Sequence, residues 1–284
     1  MRSELGAPAG SAMVEAGGVR IAVARWGSGP PVVGLHAIGH GARDFETLAA
    51  RIGDRFEVIA LDWPGHGRSD EDRREPASAT RYADLLGIVL TKLGVSNPIV
   101  VGNSIGGAAA MIHAARAPVR GLVLCDCGGL VEVDTEVRRI IGLFVGFFWA
   151  GVRRAWWYRP LFALYYRLVL PARAARDQRR RIVAAAVELA PVLVQAWTSF
   201  AQPEADLRAL AAGLDAPVWF AWARSDRVIP LARCRPVIEA MRDARLTQFA
   251  GGHAAFLEQP DAFAAGFEAF IATLPVGAPV KAAV

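Results

Sequence analysis

The stretch Pro98–Ala110, Pro-Ile-Val-Val-Gly-Asn-Ser-Ile-Gly-Gly-Ala-Ala-Ala, leaves the backbone few paths. Ile99–Val101 reads as a short buried strand and Ile105–Arg116 as a helix, so the chain must reverse sharply at Ser104. Gly102-Asn103-Ser104-Ile105-Gly106 fits the G-x-S-x-G pattern, in which the central residue sits on a strained strand-to-helix turn. Glycines two before and two after it let strand and helix approach without Cβ clashes. Gly107 and Ala108–Ala110 keep the start of the helix thin. A serine presented this way lies beside free N–H groups of a helix N-terminus, where developing negative charge is stabilised.

The rest of the chain repeats a strand–helix rhythm around that turn. Strands are expected at Val19–Ala24, Pro31–Leu35, Phe56–Leu61, Val119–Leu124, Pro217–Ala223 and Arg245–Phe249. Helices are expected at Phe45–Ile52, from a cap at Ser78 or Thr80 to Leu93, at Ala232–Met241 and at Pro260–Leu274. This alternation predicts an α/β fold with a mostly parallel sheet covered on both faces. It stops after Gly129. From Glu132 to about Phe200 the pattern is helical, with breaks expected at Pro160, Pro171 and Pro191. The expected organisation is a loose N-terminal segment at 1–18, a core at 19–129 and 201–276, a helical insertion at 130–200 and a tail at 277–284.

Length and composition limit the alternatives. At 284 residues and 54% hydrophobic content the chain can bury a large core. Met1–Gly18 lacks the charged-then-apolar order of a signal peptide. The longest uncharged apolar run, Ile140–Val152, is too short to span a bilayer as a helix, so a cytoplasmic location is expected. Three cysteines, Cys125, Cys127 and Cys234, do not make a disulfide framework, and no second Cys or His pair stands at metal-ligand spacing; they are expected as buried thiols.

A serine hydroxyl is a weak nucleophile until an imidazole takes its proton and a carboxylate orients that imidazole. Of the five histidines, His36, His40 and His66 precede the serine and His113 lies inside the helix that follows it. His253 follows the last expected strand, in Gly251-Gly252-His253, and is the candidate base. For the acid, Asp226 follows the strand Pro217–Ala223, 27 residues before His253; Asp126, at the end of Val119–Leu124, is the rival.

Four motifs together resemble the α/β-hydrolase fold of the capped serine-hydrolase type, from about Val19 to Leu274. They are His36-Ala37-Ile38-Gly39, Asp62-Trp63-Pro64-Gly65-His66-Gly67-Arg68-Ser69, the serine turn, and the pair Ser225-Asp226 with Gly252-His253. The resemblance implies Ser104, Asp226 and His253 as catalytic residues, with the N–H groups of Ile38 and Ile105 forming the oxyanion hole. It implies hydrolysis of a carboxylic ester or related acyl bond, with no cofactor and no metal. Carbon–carbon bond hydrolases and cofactor-free perhydrolases use the same machinery, and a non-hydrolytic binding protein on this fold is a further alternative. Relatives with an aspartate at the turn, epoxide hydrolases and haloalkane dehalogenases, are excluded by Ser104. The chain departs from the usual His-Gly at His36-Ala37, which would matter if residue 37 needed positive φ. Asp62 is expected to bond backbone amides of its own turn.

The insertion falls where that family carries its cap. It is rich in aromatic residues, and Phe148, Trp149 and Trp157, with Trp63 from the core, are the candidates for lining an apolar substrate pocket. Between Arg138 and Arg181 stand eleven arginines against one acid, Asp177, in a chain whose net charge is only +5. A solvated basic face, or attraction to an anionic membrane surface or an acidic partner, is the expected reading; no nucleic-acid module is present.

Overall fold

The computed structural model describes residues 10–274. Within them eight strands form one sheet: β1 Gly10–Ala16, β2 Val19–Trp26, β3 Pro31–Leu35, β4 Glu57–Leu61, β5 Ile99–Asn103, β6 Gly121–Cys125, β7 Val218–Ala223 and β8 Ala244–Phe249. Their spatial order is β1-β2-β4-β3-β5-β6-β7-β8. The pairs β1–β2 and β2–β4 are antiparallel, and every other pair is parallel. All residues of β5, β6 and β7 are buried, as parallel strands covered on both faces must be. This is the architecture that the strand–helix rhythm predicts.

Among the described residues eleven α-helices accompany the sheet: α1 Glu46–Ile52, α2 Ala79–Leu93, α3 Ile105–Ala114, α4 Thr135–Val152, α5 Tyr158–Val169, α6 Arg176–Ala184, α7 Ala186–Phe200, α8 Arg208–Ala212, α9 Leu231–Ala240, α10 Ala255–Glu258 and α11 Pro260–Ile271. One group packs α1 and α10 against α11; another runs α2–α3–α8–α9. Helix α2 starts where its sequence signal lies, with the Ser78 hydroxyl accepting the N–H of Arg81 at 3.1 Å. The chain builds β3 and β4 to one side and then crosses to β5 on the other. The loops after β3 and β5 therefore open into the crevice at the reversal of strand order, where ligands of open α/β sheets bind.

Two local expectations are corrected. The segment 1–18 is not wholly a loose lead-in: Gly10–Ala16 is a strand, paired with β2 from Gly10↔Arg25 to Ala16↔Val19. Gly17 and Gly18, at φ 54° and 83°, make the two-residue hairpin turn that joins them. Residues 1–9 and the expected tail at 277–284 lie outside the described residues. Pro191 does not break a helix but lies inside α7, where Ala190, Leu193 and Trp197 are buried. The helical break falls instead at Ala185, between α6 and α7, which meet at 89°. One lost backbone hydrogen bond at Pro191 is outweighed by the packing of α7 along α4. Among the described residues no single helix is long and apolar enough to cross a membrane.

Candidate active site

Ser104 sits between β5 and α3 at φ 55°, ψ −117°, a conformation that costs a non-glycine residue about 1–3 kcal/mol. The surroundings enforce it. The Ser104 N–H donates to the Cys125 carbonyl at 3.0 Å, and its carbonyl accepts from Gly107, Ala108 and Gly128. A Cβ on Gly102 would stand 2.6 Å from the Gly106 carbonyl oxygen, and one on Gly106 would overlap the Leu35 carbonyl. Both motif glycines are thus required by close backbone approach.

Asp226 lies in the turn after β7. Its Oδ1 accepts the N–H groups of Val228 at 2.7 Å and Ile229 at 3.0 Å, and its Oδ2 meets His253 Nδ1 at 2.9 Å. Both side chains are buried. The contact assigns the Nδ1 proton to the carboxylate side and leaves Nε2 as the nitrogen able to accept a proton. The loop of His253 is tied to the serine turn by Asn103, whose Nδ2 donates to the carbonyls of both His253 and Cys125 at 3.0 Å. Burial by itself lowers the basicity of the His253 imidazole. The charge and hydrogen bond of Asp226, with the charges of Asp126 and Glu258, outweigh it and hold the pKa above the usual histidine value.

Asp126, the rival acid, is also buried here, at φ 45°. Its Oδ1 accepts the N–H of Ala223 at 2.7 Å, at the end of β7, and its Oδ2 that of Ala255 at 3.4 Å. It braces the strand end and the histidine loop, whereas the bond to the imidazole belongs to Asp226. Burial, then the charge of Asp226, pushes its carboxyl well above the usual range, against the pull of His253. Asp126, Asp226 and His253 bring ligand-type atoms within 4.8 Å of one another. The two carboxylates already accept N–H donors, so this donor set suits a hydrogen-bond network rather than a cation.

Glu258 escaped the sequence reading. On α10, buried, it turns Oε2 toward the N–H groups of Gly252 at 2.6 Å, His253 at 3.2 Å and Ala254 at 3.4 Å. Its Oε1 accepts the N–H of Ala172, between α5 and α6. One carboxylate thus moulds the histidine loop and ties the insertion to it. The signal the sequence offers is an acid directly after the apolar run Ala254-Ala255-Phe256-Leu257, five residues past His253.

The loop after β3 answers the question posed by Ala37. Its positive φ falls on Gly39, at 79°, and Ala37 is not among the residues with positive φ. Gly39 donates to His66 Nε2 at 2.9 Å and His40 donates to the Ala37 carbonyl at 3.1 Å. Among the described residues the N–H of Ile38 makes no hydrogen bond, nor does that of Ile105, the first residue of α3. Both remain available as donors. The loop is supported by two neutral imidazoles. His36 accepts the Trp63 N–H at Nε2 and meets the Ala37 carbonyl through Nδ1, while His66 meets the Pro64 carbonyl through Nδ1. Burial lowers both, His66 to about 4. Asp62 accepts the N–H of Arg68 in its own turn, as expected, and also that of Ala42 in the loop after β3, which ties the two loops together.

The four aromatic candidates fare differently. Trp63 is a core residue: fully buried, it stacks on Tyr82 at 4.4 Å and donates its indole N–H to the His36 carbonyl. Trp149 faces solvent, with the Arg153 guanidinium 5.9 Å from its ring. Adjacent helical residues point about 100° apart, so Phe148 turns inward and Trp149 cannot follow. Phe148 is buried among Phe144, Phe162 and Trp197, and Trp157 is half-buried 6.3 Å from Phe147. The insertion reaches the site instead through Tyr166, whose hydroxyl would stand 2.9 Å from a Cβ on Gly39, and through Val169 and Pro171, which close against Gly252.

Comparison with known proteins agrees with this geometry. A family model described as the alpha/beta hydrolase family matches residues 32–266. An uncharacterised protein of Mycobacterium tuberculosis is 29% identical over 87% of this chain and 76% of its own length. Pimeloyl-[acyl-carrier protein] methyl ester esterase of Xanthomonas oryzae is 30% identical over 88% of this chain and 98% of that protein. Among solved structures, an esterase from Exiguobacterium antarcticum superposes with a TM-score of 0.80 at 19% identity, covering 93% of this chain and 100% of that one. The serine turn, the histidine and acid loops at the strand ends, and these matches lead to one assignment: the chain belongs to the alpha/beta hydrolase family.

Proposed function

We propose that the protein is a serine hydrolase that cleaves a carboxylic ester or related acyl bond of a largely apolar small molecule. Ser104 Oγ attacks the acyl carbonyl while His253 Nε2 takes its proton, and Asp226 holds the imidazole tautomer and stabilises the imidazolium. The N–H groups of Ile38 and Ile105 receive the oxyanion; each such donor is worth about 3 kcal/mol in the transition state. The imidazolium then protonates the leaving alcohol, the acyl group stays on Ser104, and water activated by His253 releases the acid. Helices α4–α7 act as the cap that excludes water from the reaction.

The observation that carries this reading is the buried 2.9 Å contact between His253 Nδ1 and Asp226, on a loop that Asn103 fastens beside Ser104. The esterase of Xanthomonas oryzae, similar over nearly the whole chain, supports an ester as substrate. The test is labelling with a fluorophosphonate probe and turnover of p-nitrophenyl esters of graded acyl length. Wild type is expected to label and turn over, and Ser104→Ala to do neither while melting like wild type or higher. A folded wild type that does not label refutes the nucleophile. Turnover of a vinylogous diketone, but of no ester, would move the same residues to carbon–carbon cleavage.

A further inference from the structure

The insertion presents an apolar face to solvent. Among the described residues the exposed large hydrophobic side chains are Met13, Ile88 and seven others, and all seven lie between Ile140 and Leu168. Trp156, in the connection between α4 and α5, is 88% exposed, and Leu143 on α4 is 76% exposed. On α5 the residues Leu161, Leu164 and Leu168 recur at helical spacing along one outer stripe. The inner stripe of the same helix, Phe162, Tyr166 and Val169, is buried.

Charge accompanies this face. Arg153, Arg154, Arg159 and Arg167 are exposed on the same two helices and their connection. Arg159 reaches Glu188 only at 3.9 Å, and the other three make no salt bridge among the described residues. Arg153 lies over the Trp149 ring. Exposed tryptophans and leucines interleaved with arginines, three of the four unpaired among the described residues, suit the headgroup boundary of an anionic bilayer, where rings and aliphatic stems enter the acyl edge and guanidinium groups meet phosphates. A second copy of this chain is disfavoured as occupant, because like charges would face each other across the contact.

We propose that the outer face of α4 and α5, with Trp156 at its tip, docks the protein on an anionic lipid surface. The docked face is the back of the helix whose inner side covers the Gly39 and Gly252 loops, so docking places the cap between the catalytic loops and the lipid. The proposal does not require a reactive Ser104.

The test is co-sedimentation of the full chain with vesicles of phosphatidylcholine alone or with 40% phosphatidylglycerol, at low and high salt. Binding is expected only with phosphatidylglycerol and is expected to fall with salt. The double variant Arg153→Glu/Arg154→Glu should lose about fivefold in partitioning for each unit of charge removed. Trp156→Ser and Leu164→Ser should each lose several-fold, and Ile88→Ser, on α2, should bind like wild type. All these positions are exposed, and unchanged melting shows that the variants fold. Ser104→Ala should bind like wild type, which separates this outcome from that of the labelling test. No vesicle binding, equal binding to neutral vesicles, no effect of the Arg153/Arg154, Trp156 and Leu164 variants, or capture by an acidic protein in place of lipid would each overturn the proposal.

Discussion

Glu258 is the residue whose role is least obvious and most open to test. Its carboxylate shapes the histidine loop by accepting three successive N–H groups, and its charge adds to the basicity of His253. Glu258→Gln keeps the side chain's size but removes its charge and turns an NH2 donor toward one of the N–H groups that the carboxylate now accepts, so the histidine loop must shift slightly. A loss in kcat of about tenfold to hundredfold, with KM within about twofold, is expected from a small displacement of the imidazole. In the proposed mechanism His253 must be neutral to act, so kcat/KM should rise with pH and level off above a midpoint higher than the ordinary histidine value of about 6.5. In Glu258→Gln that midpoint should move to lower pH, a shift that a merely structural residue would not produce; a pH–rate profile of both proteins checks it. Asp226→Asn should lower kcat by about 10⁴-fold by presenting the wrong tautomer, measured on whichever ester the wild type turns over.

Among the elements, the insertion owes its shape to one small residue. Gly151, near the end of α4, is where α4, α5 and α7 meet: a Cβ there would stand 2.5 Å from the Tyr158 ring and 2.7 Å from the Ala190 Cβ. Gly151→Ala should therefore overpack the junction at a cost of about 1–3 kcal/mol. A drop in Tm of about 2–10 °C by calorimetry is expected, and on the proposed function KM should rise more for bulky esters than for acetates as the insertion shifts. This junction was hidden in the sequence. Glycine in Trp149-Ala150-Gly151-Val152 marks neither turn nor positive φ, and only the packed helices show what the missing side chain makes room for. Strand β1 is the opposite case. Gly17-Gly18 is a hairpin signal legible in the chain, but Gly10–Ala16 buries only Val14 and Ala16, too few apolar positions to announce an edge strand.

At the scale of the whole molecule, stability carries the imprint of the buried histidines. His36 and His66 are held neutral, chiefly by burial, with pKa values below that of an unfolded chain. The unfolded state therefore binds more protons as pH falls. Their contribution is fully present above about pH 6.5 and is lost as pH drops through the folded values, for His66 about 4. That one group accounts for roughly 3 kcal/mol. Urea titrations should show this loss between about pH 6.5 and 4, set against the raised carboxyls of Asp126 and Glu258, which act in the opposite sense. His66→Gln, which keeps a hydrogen-bonding side chain without a titrating ring, should flatten it and lower the plateau at neutral pH.

What the sequence alone determined is whatever local sterics and chain order dictate. The strained serine follows from the glycines around it, the parallel sheet from the strand–helix rhythm, and the choice of His253 among five histidines from its place after the last strand; between Asp226 and Asp126 the folded contact to the imidazole decided. Even the long helical segment is legible, because a strand-free run of seventy residues must fold apart from the sheet. The tertiary structure alone decided which aromatic rings face what. Trp63, Phe148 and Trp149 are equivalent by composition, but one stacks in the core, one fills the insertion and one meets water. It also decided that Glu258 serves the histidine loop and that positive φ falls on Gly39 rather than Ala37. These outcomes depend on neighbours far along the chain, and no local pattern encodes a neighbour that only folding brings into contact.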